Sequence, residues 1–507
     1  IMKLPISKSV GLDKISTKLL QIAAPAVTQP LTKIFNKAIE LGQFPLEWKA
    51  ARVIPIFKKG QRTTLDNYRP ISILPVVSKL MERILYNQLS KYLGKESILS
   101  EYQFGFRSRH STTTTLIDCS NEWYVNMDRG HYSLVVFLDI KKAFDTVNHD
   151  ILLKKLEMYG LGDSALALLR SYLTDRTQKC QLQDMLSKQR KITCGIPQGS
   201  ILGPLLFTLY INDLPNCLKH TTPRMFADDT SLTAAGETLS EVEERVNDDL
   251  SNVHIWLSAN KLNLNIAKTE YVLIGSRHRI NSLDIQPSIN IDKQPVKRVK
   301  HSKVLGVQID EHLAWSKHIE FIAGKISAGI GAIKKAKEFV DRNTLVLIYN
   351  ALVQPHFDYC CEVWDVLGKT LSDRLQKLQN RAARIIMNFK NESGQSLLAR
   401  NSLGWINLEE RRAHIKAKLM YKSINNLAPE RLSNLFQNSN TIYDYDLRGS
   451  STRLCLPRPK TEFMKKSFSY NGAYIWNHIP EDIRTSASYK SFCQKLSSST
   501  FSCGSRY

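Results

Sequence analysis

Apolar positions recur along this chain in three regimes. In the first hundred or so residues the spacing is mostly helical: TKIFNKAIELG repeats at three and four and stops at Gly42, and beyond Pro70 and Pro75 the stretch VSKLMERILYNQLSKYL sets Leu80, Ile84, Leu85 and Leu89 on one face. Between them the short β-branched run RVIPIF predicts a strand leading into Lys58-Lys59-Gly60, and QFGFRSRHSTTTTLI reads as a glycine-marked turn entering a helix. The middle of the chain mixes periods. YSLVVFLDI is a β-prone run ending in an acid, ILLKKLEMYG and ALALLRSYLTD are helical, and RMFA and TSLTAA are two apolar strands joined through Asp228 and Asp229, the pattern of a β-hairpin with a charged turn. Strands and helices mixed without regular βαβ alternation predict an α+β fold, a sheet backed by helices.

Beyond about residue 315 the pattern is helical and basic. Ile319, Ile322, Ile326, Ile330 and Ile333 step by three or four among Lys317, Lys325, Lys334, Lys335 and Lys337, and Leu375, Leu378, Ala382 and Ile385 alternate with Arg374, Lys377, Arg381 and Arg384. Each such helix has an apolar and a cationic face, which is either a solvated surface or a contact for nucleic-acid backbone; with RRAHIKAKLMYK there are three of them.

Composition narrows the partners. The 507 residues, 43% hydrophobic and 23% charged, are globular and leave room for several compact units. A net charge of +23 calls for a polyanion, and the second part is the more basic: 34 basic against 27 acidic residues over 1–275, 36 against 20 over 276–507. Nine cysteines without Cys-x-x-Cys spacing argue against a disulfide framework or zinc knuckle and read as reduced intracellular thiols. The longest mostly apolar run, Ile201 to Ile211, is broken by Gly203 and Pro204 and falls short of the roughly 18 residues that span a bilayer, so no membrane partner is expected. The opening IMKLPISKSVGLDK lacks a signal-peptide core and reads as an N-terminally truncated chain.

The candidate chemistry is acidic. If the strand ending in Asp139 lies beside the Asp228-Asp229 hairpin, three carboxylates converge. Hard oxygen ligands suit Mg²⁺, and two such ions about 3.5–4 Å apart activate an attacking hydroxyl and stabilise a leaving pyrophosphate. Asp139 alone reads equally as a strand cap, but adjacent aspartates are costly without a cation.

FLDIKKAFDTVNHDIL, GIPQGSILGPLLFTLYINDL and MFADDTSL, in that order, resemble the A, B and C motifs of reverse transcriptases, and are most similar to those of non-LTR, LINE-type (jockey-like) retrotransposons. RVIPIFKKGQRTTLDNYRPISILPVVSKLMERIL resembles the fingers of that family and QFGFRSRHSTTTTLI its following motif; the likeness covers roughly residues 10–310 and is looser beyond. It implies a right-hand polymerase: an N-terminal extension of the fingers over 1–36, fingers and palm over 37–310, a basic helical thumb over 311–400, and a C-terminal region without assigned role over 401–507. It implies an RNA-directed DNA polymerase that extends a primer 3′-hydroxyl with dNTPs, using two Mg²⁺ (or Mn²⁺) ions, an RNA template and a DNA primer or target, within a ribonucleoprotein of nucleus and cytoplasm. The endonuclease that this group carries upstream is expected to be missing.

By the same resemblance, Asp139, Asp228 and Asp229 are the metal ligands, and Phe144 lies beneath the sugar and excludes a 2′-hydroxyl, the alternative being a core ring. Gly195, Pro197, Gln198 and Gly199 form a turn of little bulk in which Gln198 and Gly199 approach the nucleotide. Lys58 and Arg69 grip the triphosphate, Arg107 and Arg109 support that lobe or touch template, and Lys268 protonates the leaving pyrophosphate. Gly306, in SKVLGVQID, belongs to a primer grip in which Val304 replaces the family's usual aromatic. Arg374, Lys377, Arg381 and Arg384 hold template-primer through phosphates. Two rivals stay open: an inactive nucleic-acid-binding remnant of the same fold, and an RNA polymerase with a similar palm, which Phe144 disfavours.

Overall fold

The computed structural model describes residues 1–6, 9–438 and 452–499; the end of the Ser-rich tail lies outside them. The chain forms β1 (Ala50–Phe57) and β2 (Tyr68–Ile73), then α1 (Val76–Lys95), α2 (Thr112–Arg129), β3 (Tyr132–Leu138), β4 (Arg176–Leu182), α3 (Gly203–Tyr210), β5 (Thr222–Phe226) and β6 (Asp229–Gly236). α4 (Leu239–Ala259), β7 (Glu270–Ile274), β8 (Lys297–Arg298), β9 (His301–Val304) and β10 (Val307–Asp310) lead to the helical part, whose long members are α5 (Ser316–Ala336), α6 (Lys369–Met387) and α7 (Leu408–Ile424). Local signals explain the boundaries. Ser111 caps α2 in a capping box with Thr114, and Gly130, at φ +79°, ends it.

Two sheets carry the mixed part. In one, β2 pairs antiparallel with β1, and β1 runs parallel to β4. The other has the order β8-β7-β3-β6-β5 with β3 at its centre. Both faces of β3 are covered, so the strand is apolar from Leu134 to Leu138 instead of alternating. Leu134, Val136 and Leu138 enter one core with α1, α3 and α4; Val135 enters a second core with α2, α5, α6, α7 and helical residues as far as Leu496. Described residues after 400 are therefore built into the same core as α2. Polar contacts add to this: Asp128 accepts from the backbone N–H groups of Lys460 and Thr461, and Asn121 from that of Ser469.

Two expectations change. Ile84 is 38% exposed, because α1 turns Met81, Glu82 and Leu85 inward instead. The third basic helix, α7, is mostly buried and does not present all its cations to solvent: Lys416 is 1% exposed, donates to Asn471 and pairs with Asp365, while Arg411 makes a two-pronged pair with Asp358. Among the described residues the cysteines are free thiols, and no helix is long and apolar enough to cross a membrane.

His318 on α5 yields a stability prediction. It is 2% exposed, accepts from Gln308 N–H at Nδ1 (3.3 Å) and lies 5.4 Å from Trp364, and burial pushes its pKa down to about 4. The unfolded chain, with an ordinary imidazole near 6.5, binds the proton first. Stability is thus full above pH 6.5 and falls, by up to about 3 kcal/mol, as pH drops towards 4. Glu362 acts oppositely: burial, reinforced by Asp365, lifts its pKa to about 7, so its contribution is lost as pH rises from about 4.5 to 7. His318→Asn keeps the acceptor for Gln308 and isolates the histidine. Thermal midpoints at pH 7 and pH 5 should show a larger acid loss in the parent than in the variant; equal losses would remove His318 from the account.

Candidate active site

One strand register assembles the carboxylates. β3 and β6 pair with Leu138 opposite Thr230, and the next step of that register sets Asp139 across from Asp229. β5 and β6 are joined by the two-residue turn Ala227-Asp228, with Ala227 at φ +57°. That turn is braced from behind by Gln103, whose Oε1 accepts from Gly105 N–H (2.8 Å) and Ala227 N–H (3.2 Å), while Phe104 N–H donates to Met225 (2.8 Å). A Cβ on Gly105 would stand 2.4 Å from the Ala227 nitrogen, so glycine is required for this approach.

The electrostatics follow. Burial raises the Asp228 carboxyl above its ordinary pKa, with Asp139 adding to the shift and Arg69 and Lys58 opposing it. Asp229, the more exposed, is raised by partial desolvation and then by Asp228 and Asp139, against the same two cations. Carboxylates that repel one another, supplying only oxygen donors, fit a divalent cation by chemistry. Among the described residues, however, no group of three His, Cys, Asp or Glu side chains is gathered tightly enough to share an ion.

Asp139 is itself held by the turn that follows α4. Asn265 donates its backbone N–H to the Asp139 carbonyl (2.7 Å) and its side-chain Nδ2 to Asp139 Oδ2 (2.9 Å), and Asp139 N–H donates to Thr269 Oγ1 (3.4 Å). Lys268, exposed, rides on this turn and lies within electrostatic reach of Asp66, which pairs with Lys142 at 2.8 Å. The loop between β1 and β2 is thereby tied to the segment after Asp139, and Lys58 and Arg69, near its two ends, are within electrostatic reach of Asp228 and Asp229.

The glycine-rich turn is packed against the same segment. Gly195, at φ +83°, has no room for a Cβ beside the Asp145 carbonyl (2.6 Å), and Gly199, at φ +123°, has none beside Ser72 O (2.4 Å). Between them Pro197 precedes Gln198, whose carbonyl accepts from Ser72 N–H (2.7 Å) and whose Nε2 donates to Asp145 Oδ1 (2.9 Å). The Phe144 carbonyl accepts from Ile196 N–H (2.8 Å), and its ring, half-buried, stacks on Phe207 with centroids 4.4 Å apart. At the turn's far end the buried Glu82 carboxylate accepts from Ile201 (2.6 Å) and Leu202 (3.2 Å) N–H at the start of α3. Gln103, Asp145, Glu82 and Asn265 do not stand out in sequence; their only sign is polarity inside or beside a motif.

Other candidates lie further out. Arg107 donates to the carbonyls of Ser100 (2.6 Å) and Gln103 (3.1 Å), a brace for the Gln103 turn, and Arg109 is exposed at φ +67°. Gly306, at φ +89°, forms with Leu305 the tight turn between β9 and β10, where Tyr359 donates to the Leu305 carbonyl (2.7 Å). A pocket lined by Phe137, Asp229, Thr230, Lys303 and Leu305 separates this tip from the carboxylates. On α6, Arg374, Lys377 and Arg381 are exposed, whereas Arg384 is held by Ser396.

A family model described as reverse transcriptase (RNA-dependent DNA polymerase) matches residues 56–309. The chain is 29% identical over 388 residues to a probable RNA-directed DNA polymerase from transposon X-element of Drosophila melanogaster, covering 75% of this chain and 42% of the relative. It is 28% identical over 399 residues to the RNA-directed DNA polymerase from mobile element jockey of the same organism, covering 76% and 43%. A Pol polyprotein from the type-1 retrotransposable element R2 of Popillia japonica shares 26% over 270 residues, 50% of this chain and 36% of that one. The chain thus spans less than half the length of the curated relatives it matches.

Proposed function

The chain belongs to the reverse transcriptase (RNA-dependent DNA polymerase) family, and from that premise we propose that it extends a primer 3′-hydroxyl with dNTPs on an RNA template. The observation that carries the reading is the end of the central sheet, where Asp139, Asp228 and Asp229 face Lys58 and Arg69. In this reading residues 37–310 are fingers and palm, with the β1–β2 hairpin in the fingers and the β3–β6–β5 strands in the palm; 1–36 extend the fingers, 311–400 form the thumb, and 401–507 are a C-terminal region without assigned role.

Asp139, Asp228 and Asp229 would hold two Mg²⁺ ions, which when bound supply Lewis-acid activation of the hydroxyl and neutralise phosphate charge. The chain's own groups do the rest. Lys58 and Arg69 bind the triphosphate as a point charge and a planar fork. Lys268 donates a proton to the leaving pyrophosphate. Gln198, fixed by Asp145 and by the backbone at Ser72, floors the site for the new base pair, and Phe144 lies under its sugar. Incorporation of labelled deoxynucleotide on a homopolymeric RNA template with a DNA primer, lost on adding EDTA, tests the reading; absence of incorporation in Mg²⁺ and in Mn²⁺ would overturn it.

The exposed cations of α6 grip template-primer in this account. Neutralised phosphates release counterions, so log affinity falls linearly with log salt. Changing Arg374, Lys377 and Arg381 to Gln should flatten that slope by up to about 0.7–0.9 for each phosphate no longer neutralised, measured by salt titration of duplex binding. Arg384, already engaged with Ser396, should contribute less. An unchanged slope would return these residues to a solvated face.

A further inference from the structure

Asp139 is gripped at three points by a single five-residue turn. Its backbone carbonyl accepts from Asn265 N–H, its backbone N–H donates to Thr269 Oγ1, and one oxygen of its carboxylate, Oδ2, accepts from the Asn265 amide at 2.9 Å. The flanking chain runs along the same path: Lys141 N–H donates to the Asn263 carbonyl at 2.8 Å, and Ile140 bridges to Leu264. Asn265 also closes the turn, for its own carbonyl accepts from Lys268 N–H (2.9 Å), Thr269 N–H (2.9 Å) and Thr269 Oγ1 (3.1 Å). One side chain therefore touches a carboxylate while its backbone sets the loop that carries Lys268.

We propose that Asn265 is a positioning residue for Asp139: its amide pins Oδ2 and so fixes the rotamer that offers the other carboxylate oxygen to a divalent cation. The inference rests on the polymerase reading above. Its chemistry is that of a partner behind a metal-binding carboxylate: a neutral N–H donor leaves the charge in place while removing one torsional freedom, and the loss of such partners typically costs about 10- to 100-fold in metal affinity or activity. The amide also keeps Asp139 in one place while the neighbouring Asp228 and Asp229 repel it.

Asn265→Leu and Asn265→Gln test this. Leucine fills nearly the same volume without a donor; glutamine keeps the donor on a longer arm; both leave the backbone bonds of the turn available. Mn²⁺ binding, followed by the loss of free-ion paramagnetic signal, should weaken about 10- to 100-fold in the leucine variant. Its kcat in primer extension should fall by a similar factor, with KM for dNTP and duplex affinity within about twofold of the parent. Glutamine should recover part of both losses. A space-filling role would order the variants the other way, since leucine disturbs packing least. If the leucine variant binds Mn²⁺ and extends primers like the parent, or glutamine is no better than leucine, Asn265 does not position Asp139. A parent without polymerase activity would instead sink the polymerase reading, and the Mn²⁺ titration still decides the role of Asn265.

Discussion

Replacing Asp228 by Asn should lower primer extension by on the order of 10³-fold or more while leaving duplex binding within about twofold. The carboxylate sits in the Ala227-Asp228 turn, where burial and then Asp139 raise its proton affinity, opposed by the charges of Arg69 and Lys58. An amide of the same shape keeps the turn but carries no charge to hold a cation. Metal ions contribute several kcal/mol at a transferring phosphoryl group, and each 1.36 kcal/mol is tenfold in rate. Binding, by contrast, rests on the basic surface, from which this substitution removes nothing. Single-turnover extension beside a filter-binding isotherm checks both halves. Full activity in the variant would remove Asp228 from the metal-binding role.

The second large effect concerns the sugar. Phe144 stacks on Phe207, a fully buried residue of α3, and its carbonyl is tied to Ile196 in the glycine-rich turn. In the proposed reading a half-buried ring backed by Phe207 meets the 2′-hydroxyl of a ribonucleotide, so discrimination would come from overlap and not from a better contact with deoxyribose. Overpacking costs of roughly 1–3 kcal/mol correspond to about 5- to 150-fold in selectivity. Phe144→Val and Phe144→Ala should therefore raise ribonucleotide use by a factor in that range, and Phe144→Tyr should preserve the preference. Both small residues also lose the stacked pair, worth about 0.5–1.5 kcal/mol, so retained dNTP activity is the control for folding. If Phe144→Val uses dNTPs yet rejects ribonucleotides as strongly as the parent, the ring is core packing.

Much of this was legible in the chain because it is local. The unbroken apolar run of β3, the acids at its end and in the β5–β6 turn, and the capped start of α2 each occupy a few consecutive residues. What stayed hidden depends on partners far away in sequence. Asn265 meets Asp139 across 126 positions, Gln103 meets Ala227 across 124, and Glu82 meets Ile201 across 119; a single polar letter carries no trace of such a bond. The same cause misplaces α7: a run of basic residues reads as a cationic surface until Asp358 and Asp365, some fifty positions earlier, turn Arg411 and Lys416 inward. On α1 the apolar stripe pointed to Ile84, but the need to seat Glu82 against the start of α3 rotates the buried face away from it.

In the proposed reading this sheet end copies RNA into DNA. Extension of a DNA primer on an RNA of mixed sequence, with Mg²⁺ and with one dNTP omitted at a time, tests it most directly. Four ladders are expected, each stopping one nucleotide before the first position that requires the missing base. Products that ignore the template, or a bound duplex that is never extended, would contradict it.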